Sequence, residues 1–507
     1  MAERQGGYRN DRGRQRPDTR RNPHRERSAQ RPADRRRESD APRRVAYDLL
    51  RAVDRGAYAN LELPKLLRAA GLRGRDASFA TELSYGAIRM RGLYDPIIEL
   101  AAGRPATQID PPVLDTLRLG AHQLLSMRVK PHAAASETVA LARTVNGAGA
   151  AGFVNAVLRR ISERTREEWI SEVTAGRDED DALAVEYSHP AWMVRALRAS
   201  LAESTTSDGP DATGELRELL AAHNEPAKVA LVARPGLCDV EELVDAGATA
   251  SELSPVGALM EAGDPGSIAA VRETRAAVQD EGSQLLGMVL ATAPTTSSAP
   301  GEPERWLDLC AGPGGKAALL ATLAQQQGAQ LFANESSEHR ADLIDQTLRA
   351  AVAAGIEVMV GVGDGRDLGA EEPAAYDRVL VDAPCTGLGA LRRRPDARWR
   401  RTANDIADLT TLQEELLASA IEATRIGGLI AYTTCSPHVA ETRVVVDAAA
   451  RSGTVELIDA RPYFVDAAGN QIKALGEGPT VQLWPHRHRT DGMYIALMRR
   501  TEKDQSA

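Results

Sequence analysis

The period of the apolar positions changes along this chain. From residue 42 to about 163 they recur every three or four residues, as on one face of a helix. Val45, Leu49, Leu50 and Val53 share one such face, and Phe153, Val154, Val157, Leu158 and Ile161 share another. Asp110 and Pro111 read as an N-cap and first helical position ahead of Val113, Leu114, Leu117, Leu124 and Leu125. Together these stripes predict a helical bundle. The next stretch is mixed. Tyr187 to Trp192 opens a helix through Val194 and Leu197, residues 203–214 read as a loop, and Lys228 to Arg234 alternates as a strand.

Beyond Val278 short apolar runs and helical patterns take turns. Val278 to Leu286 leads into a helix, and 293–304, rich in Pro, Ser and Thr, reads as a linker. Strands are predicted at 305–310, 330–334, 357–361, 377–382 and 428–433, with helices from 316, at 338–353 and at 404–424. That β-α-β alternation predicts an α/β fold: an open, Rossmann-like parallel sheet with helices on both faces and ligands at the carboxyl ends of the strands. Four segments follow: an Arg-rich disordered tail at 1–41, an all-α bundle at 42–165, a small α/β linker subdomain at 166–277 and a cofactor-binding domain at 278–502.

Charge sharpens this division. The 507 residues carry a net charge of −9, but residues 1–44 hold 15 Arg against 7 acidic residues, so the body is strongly acidic. Such a body grips a polyanion only through local patches. The tail lacks the apolar periodicity needed to offset chain entropy, and reads equally as an RNA-attracting arm or a solubilising extension. No apolar run approaches the roughly 20 residues of a membrane helix, and the N-terminus has no apolar signal segment. We therefore expect a cytoplasmic enzyme, monomeric, with no membrane partner. The four cysteines, Cys238, Cys310, Cys385 and Cys435, form no C-x-x-C pair, so no metal is expected and free thiols are available.

The chemistry collects at the predicted strand ends. Asp308 precedes a turn running Cys310, Ala311, Gly312, Pro313, Gly314, Gly315, Lys316, which leads into a helix. Missing Cβ atoms let a ligand approach the backbone, and the helix start offers free N–H groups. The turn is not G-x-G-x-x-G, which counts against a dinucleotide. Glu335 follows the second strand, 27 residues after Asp308, a spacing that suits ribose hydroxyls. Asp364 follows the third and suits an adenine amino group. This combination points to S-adenosylmethionine.

Cys385, in D-A-P-C after Asp382, and Cys435, in T-T-C-S-P, follow the fourth and fifth strands. A structural thiol is the plain reading for Cys238 and Cys310. Two thiols beside a methyl donor suit another purpose. Carbon 5 of cytosine is a poor nucleophile until a thiolate adds to C6, and Asp382 is placed to hydrogen-bond the N3 edge as that happens. A second thiol could then assist product release. The base must be unstacked for C6 to be reached.

D-L-C-A-G-P-G-G-K, V-D-A-P-C-T-G and T-T-C-S-P resemble the RsmB/Nop2/Sun family of RNA cytosine-5 methyltransferases. Gly152 to Arg160, G-F-V-N-A-V-L-R-R, with the helices before it, resembles a NusB-like RNA-binding fold. The resemblance extends over about 42–500, including Trp484 to Tyr494. It implies a class I methyltransferase sheet behind a NusB-like bundle, with RNA as partner and 16S rRNA as the expected substrate. It further implies that Cys435 attacks C6 and Cys385 helps release the product. The cofactor set it implies is Cys310 to Lys316, Glu335, Asp364 and Asp382. Two departures from the family pattern stand out. Glu335 replaces a common Asp, and Gly312 replaces a common Ala, a change expected to be harmless.

Alternatives remain open at this point: a tRNA or other rRNA substrate, a non-catalytic NusB-like binding factor, or an NAD-type oxidoreductase on the same sheet. Arg392 to Arg400, with five Arg and one Trp, is expected to contact RNA beside the site, and His486, Arg487, His488 and Arg489 could add to it. His189 is expected to be structural.

Overall fold

The computed structural model describes residues 40–204, 212–297 and 302–502, so residues 1–39 of the tail expected at 1–41 lie outside the described residues, while Asp40 and Ala41 belong to the start of the first helix. The first helix begins at Ala41, with the Asp40 carboxylate accepting from the Arg43 backbone N–H. Seven helices follow the sequence pattern: Ala41–Asp54, Ala59–Ala69, Gly74–Arg89, Arg91–Ala102, Pro111–Leu125, Pro131–Val145 and Ala148–Ile161. Their apolar stripes meet in two clusters, one around Leu93, Ile97, Leu117, Val154 and Leu158, the other around Leu49, Leu83, Leu119 and Leu141. Pro111 opens its helix as expected, but the Asp110 side chain makes no cap hydrogen bond.

The intermediate region carries the helices Arg166–Thr174, Glu179–Glu186, Ala191–Ser204 and Ala212–Ala222. They are followed by a four-stranded sheet of β1 (Val229–Ala233), β2 (Thr249–Ala250), β3 (Gly257–Met260) and β4 (Ala276–Val278), ordered β2-β3-β1-β4. The alternation expected for Lys228 to Arg234 does not translate into alternating burial: Ala230 to Ala233 are all buried, because β1 is an inner strand.

The large sheet contains β5 (Arg305–Asp308), β6 (Gln330–Glu335), β7 (Val358–Val362), β8 (Tyr376–Asp382), β9 (Thr424–Thr434), β10 (Val455–Ile458), β11 (Val481–Gln482) and β12 (Tyr494–Arg500). Its order is β10-β12-β9-β8-β5-β6-β7, with β11 on β12. Strands β5 to β9 pair in parallel, as expected. The expectation of a wholly parallel sheet is corrected: β12 inserts antiparallel between β9 and β10, so the sheet is mixed. Helices Glu281–Thr292, Gly315–Gln326 and Glu338–Ala353 cover one face, and Asp405–Ala423 and Arg443–Arg451 cover the other. The chain reverses its direction across the sheet between β5 and β8, which opens a crevice at their carboxyl ends.

Among the described residues no helix is long and apolar enough to cross a membrane. No group of three His, Cys, Asp or Glu side chains is placed to hold a metal ion among them either.

Candidate active site

β5 ends in Asp308 and runs into the glycine turn. The Gly312–Pro313 peptide is cis, and Gly314 sits at φ +102°, a region that favours glycine. The helix Gly315–Gln326 starts directly behind it. A Cβ at Gly312 would lie 2.2 Å from Glu335 Oε2, and one at Gly314 would lie 3.0 Å from the Ile344 backbone, whereas Gly315 faces open space. Gly312 in place of the family's common Ala thus leaves room for Glu335 in place of its common Asp. Glu335 Oε2 accepts from Gly312 N at 3.1 Å, Oε1 accepts from Ser337 N at 3.1 Å, and Arg340 pairs with it at 3.2 Å.

Asp308 is buried, and neither carboxyl oxygen has a hydrogen-bond partner. Burial, reinforced by the nearby Asp382 charge, pushes its pKa up to about 7. An orphaned acid beside a glycine cradle fits a ligand with a cationic group. Asp364 is more exposed: Arg366 holds it from two sides and lowers its pKa to about 2. Cys310 is packed against the core, and burial pushes its thiol up.

Lys316 Nζ donates to Asp382 Oδ2 at 2.8 Å, tying the glycine turn to the end of β8. Burial alone would lower the lysine pKa, but the Asp382 charge and hydrogen bond raise it. Thr433 Oγ1 donates to the other Asp382 oxygen at 3.1 Å. Beyond Asp382 the two thiols meet. Cys385 Sγ and Cys435 Sγ are 3.4 Å apart, held by loops that leave adjacent parallel strands β8 and β9. The hydrogen bond from Cys385 lowers the pKa of Cys435, with help from Arg394 and Lys316. The same hydrogen bond and burial raise that of Cys385. The contact itself lets either sulfur donate; the surrounding charges favour Cys435 as the thiolate and Cys385 as the thiol.

With this geometry in view, the comparisons with known proteins are specific. The family model for the 16S rRNA methyltransferase RsmB/F matches residues 295–499, and the NusB family model matches 40–163. The ribosomal RNA small subunit methyltransferase B of Pseudomonas putida is 32% identical over 80% of this chain and 88% of its own length. The chain belongs to the RsmB/F family of 16S rRNA methyltransferases. A Mycobacterium tuberculosis (strain H37Rv) relative, named only at the level of methyltransferase, is 49% identical over 92% of this chain and 98% of that one. The crystal structure of PH0851 shares the fold, with TM-score 0.72 at 21% identity over 91% of this chain and 98% of that one.

The RsmB/F chain brings the expected site residues 310–316, 335, 382, 385 and 435 to one end of its sheet, with Asp364 at the rim. It does not use the arginine-rich segment as expected. Arg398 is fully buried, donating to Arg89 O, Ser188 O, Asn224 Oδ1 and His223 O. Trp399 Nε1 donates to Ile88 O, Arg400 to Gly56 O, and Arg393 pairs with Asp491. This segment docks the methyltransferase sheet onto the helical bundle. Of its five arginines only Arg394 is exposed. His486 and Arg487 likewise bond Glu215, and His488 accepts from Trp484 N, so they hold the fold together. His189 is buried, hydrogen-bonded to Tyr187 O and beside His223, consistent with a structural role.

One contributor was missed from sequence. Glu441 is buried behind both cysteine loops and accepts from each. Its only sequence signal is a lone acid six residues past Cys435.

Proposed function

We propose that this chain transfers a methyl group from S-adenosylmethionine to C5 of a cytosine in RNA, with 16S rRNA as the substrate, through a covalent bond between Cys435 and C6. The observation that carries this reading is the 3.4 Å contact between two thiols beside Asp382 and the glycine turn. The names of its relatives support a small-subunit rRNA target.

The residues present fit the cofactor. Gly312 to Gly315 leave backbone exposed to it, Asp308 offers an orphaned carboxylate to a cationic amino acid moiety, and Glu335 and Asp364 offer acids at the next two strand ends. Bound there, the cofactor supplies an electrophilic methyl group. The chain supplies the remaining steps. Cys435 adds to C6 as the thiolate, which makes C5 enamine-like. Asp382, hydrogen-bonded to Lys316, is placed to relay the proton given up by the Cys435 thiol to N3 as the sulfur adds. After methylation a water takes the C5 proton as the C6–S bond breaks, N3 gives back its proton, and the Cys385 thiol is placed to return the hydrogen bond to the departing sulfur.

Paired cysteine variants test this reading. Cys435→Ala is expected to abolish methylation, read by bisulfite sequencing of 16S rRNA from a complemented deletion strain. Cys385→Ala is expected to accumulate a denaturation-resistant protein–RNA adduct. Normal turnover by Cys435→Ala would overturn the nucleophile assignment.

A further inference from the structure

The Cys385 and Cys435 loops leave different strands and have no covalent link, yet their sulfurs must stay within contact for one to polarise the other. Behind them lies a fully buried carboxylate. Glu441 ends the short 3-10 turn Val439–Glu441 and is 0% exposed. One of its oxygens, Oε1, accepts from Thr386 N at 2.8 Å and from Gln413 Nε2 at 3.2 Å. The other, Oε2, accepts from Ser436 Oγ at 2.6 Å and from Thr386 Oγ1. Thr386 and Ser436 are the residues directly after the two cysteines. Gln413 Nε2 also donates to Pro384 O at 2.8 Å, and Tyr432 OH donates to the Glu441 backbone O at 2.7 Å, which pins the Glu441 backbone to β9.

Every group aimed at this carboxylate can donate, and no salt bridge to it occurs among the described residues. A buried charge costs several kcal/mol unless hydrogen bonds replace its water. Neutral residues could clasp two loops at lower cost, so the retained charge asks for a use.

We propose that Glu441 is a positioning residue that clasps the Cys385 and Cys435 loops together and, through its charge, sets which sulfur keeps its proton. The clasp is the four-way hydrogen bonding. The charge is seated on the Cys385 side: the residue after Cys385 gives it both the Thr386 N–H and the Thr386 hydroxyl, the residue after Cys435 only the Ser436 hydroxyl, and its charge raises the Cys385 pKa. Cys385 stays a thiol donor, and Cys435 becomes the thiolate. The inference rests on the thiol-pair chemistry proposed above.

The test uses the full-length protein with Glu441→Gln and Glu441→Ala. Gln keeps the volume and most hydrogen bonds but removes the charge, and Ala removes both. Iodoacetamide labelling followed by peptide mass spectrometry, between pH 6 and 9, gives the ratio of Cys435 to Cys385 alkylation without RNA or cofactor. Capture of phenylarsine oxide, which needs two sulfurs in reach of one arsenic, reports the clasp. The Gln variant should keep arsenical capture but lower the alkylation ratio by about tenfold, the effect of a one-unit change in the difference between the two thiols. The Ala variant should lose both. Should Ala fail to fold, by circular dichroism, the Gln ratio decides alone. A Gln variant with the native ratio across the pH range would overturn the proposal. Methylation by Cys435→Ala would instead overturn the thiol chemistry beneath it, whatever the Glu441 variants show.

Discussion

Lys316 and Asp382 form an ion pair across the mouth of the β5–β8 crevice, with Nζ 2.8 Å from Oδ2. One residue belongs to the glycine turn and the other to the strand that leads to Cys385, so the pair couples the cofactor cradle to the place where the base reacts. The lysine side chain is 10% exposed and the aspartate 33%, so the aspartate keeps an oxygen edge toward the crevice. Removing either partner unbalances the other. We expect Lys316→Met to reduce the single-turnover methylation rate by about 100-fold, the usual scale of a lost proton-handling group, because Asp382 and Cys435 both lose a neighbouring cation. Asp382→Asn should show a similar drop with little change in RNA affinity. Rapid-quench kinetics alongside filter binding separates the two effects.

Gly312 and Glu335 are a matched pair. Gly312→Ala places a methyl group where Glu335 Oε2 now sits. Overpacking of this kind costs about 1–3 kcal/mol, and here the cost falls on the cofactor cradle. The single variant should bind S-adenosylmethionine at least about fivefold more weakly by calorimetry. Adding Glu335→Asp shortens the acid and should recover most of the loss. A double-variant cycle without coupling would show that the two positions act independently.

Asp308 makes cofactor binding depend on pH. Its folded-state pKa, about 7, lies above the ordinary carboxylate range because the group is buried and the Asp382 charge is near. A raised acid stabilises the folded protein at low pH, relative to neutral pH. That contribution is complete below the unfolded value and is lost as pH rises through about 7. A cationic group on the ligand reverses the imbalance by favouring the ionised acid. Binding of S-adenosylmethionine should therefore tighten between pH 5.5 and 7.5 and release about one proton near pH 6. Calorimetry in buffers of different ionisation enthalpy measures that release, and Asp308→Asn should abolish it.

Two arginines four residues apart should behave oppositely. Arg398 is a buried clasp between the sheet domain, the bundle and the intermediate region. Arg398→Met orphans several acceptors at about 1–3 kcal/mol each, partly offset by no longer burying a charge. Thermal unfolding should fall by several degrees. Arg394 is exposed, and its charge helps lower the Cys435 pKa. Arg394→Gln should leave the melting temperature unchanged, slow Cys435 alkylation, and reduce the salt dependence of RNA binding by about one counterion.

Much of this protein was legible in its residue order. Helical periodicity located the bundle, and alternating apolar runs located β5 to β9 and the helices between them, because side-chain period follows backbone geometry directly. The glycine turn and the strand-end acids and thiols were equally visible, since a parallel sheet always presents strand ends on one edge. The antiparallel β12 was not legible: a buried strand reads the same in either direction, and only its partners decide. Arg398 and Arg487 looked like RNA-contacting charge because sequence reports that a residue is charged and not what it faces. The match of Gly312 with Glu335 was not legible because the two lie 23 residues apart.

The residue order by itself determined the class of fold, the cofactor cradle and the presence of two candidate nucleophiles, all of them properties of short segments. Tertiary structure alone decided that the sulfurs touch, which of them gives up its proton more readily, and that a distant carboxylate holds their loops together. Protonation depends on burial and on charges within a few ångströms, and those neighbours come from segments that meet only once the chain has folded.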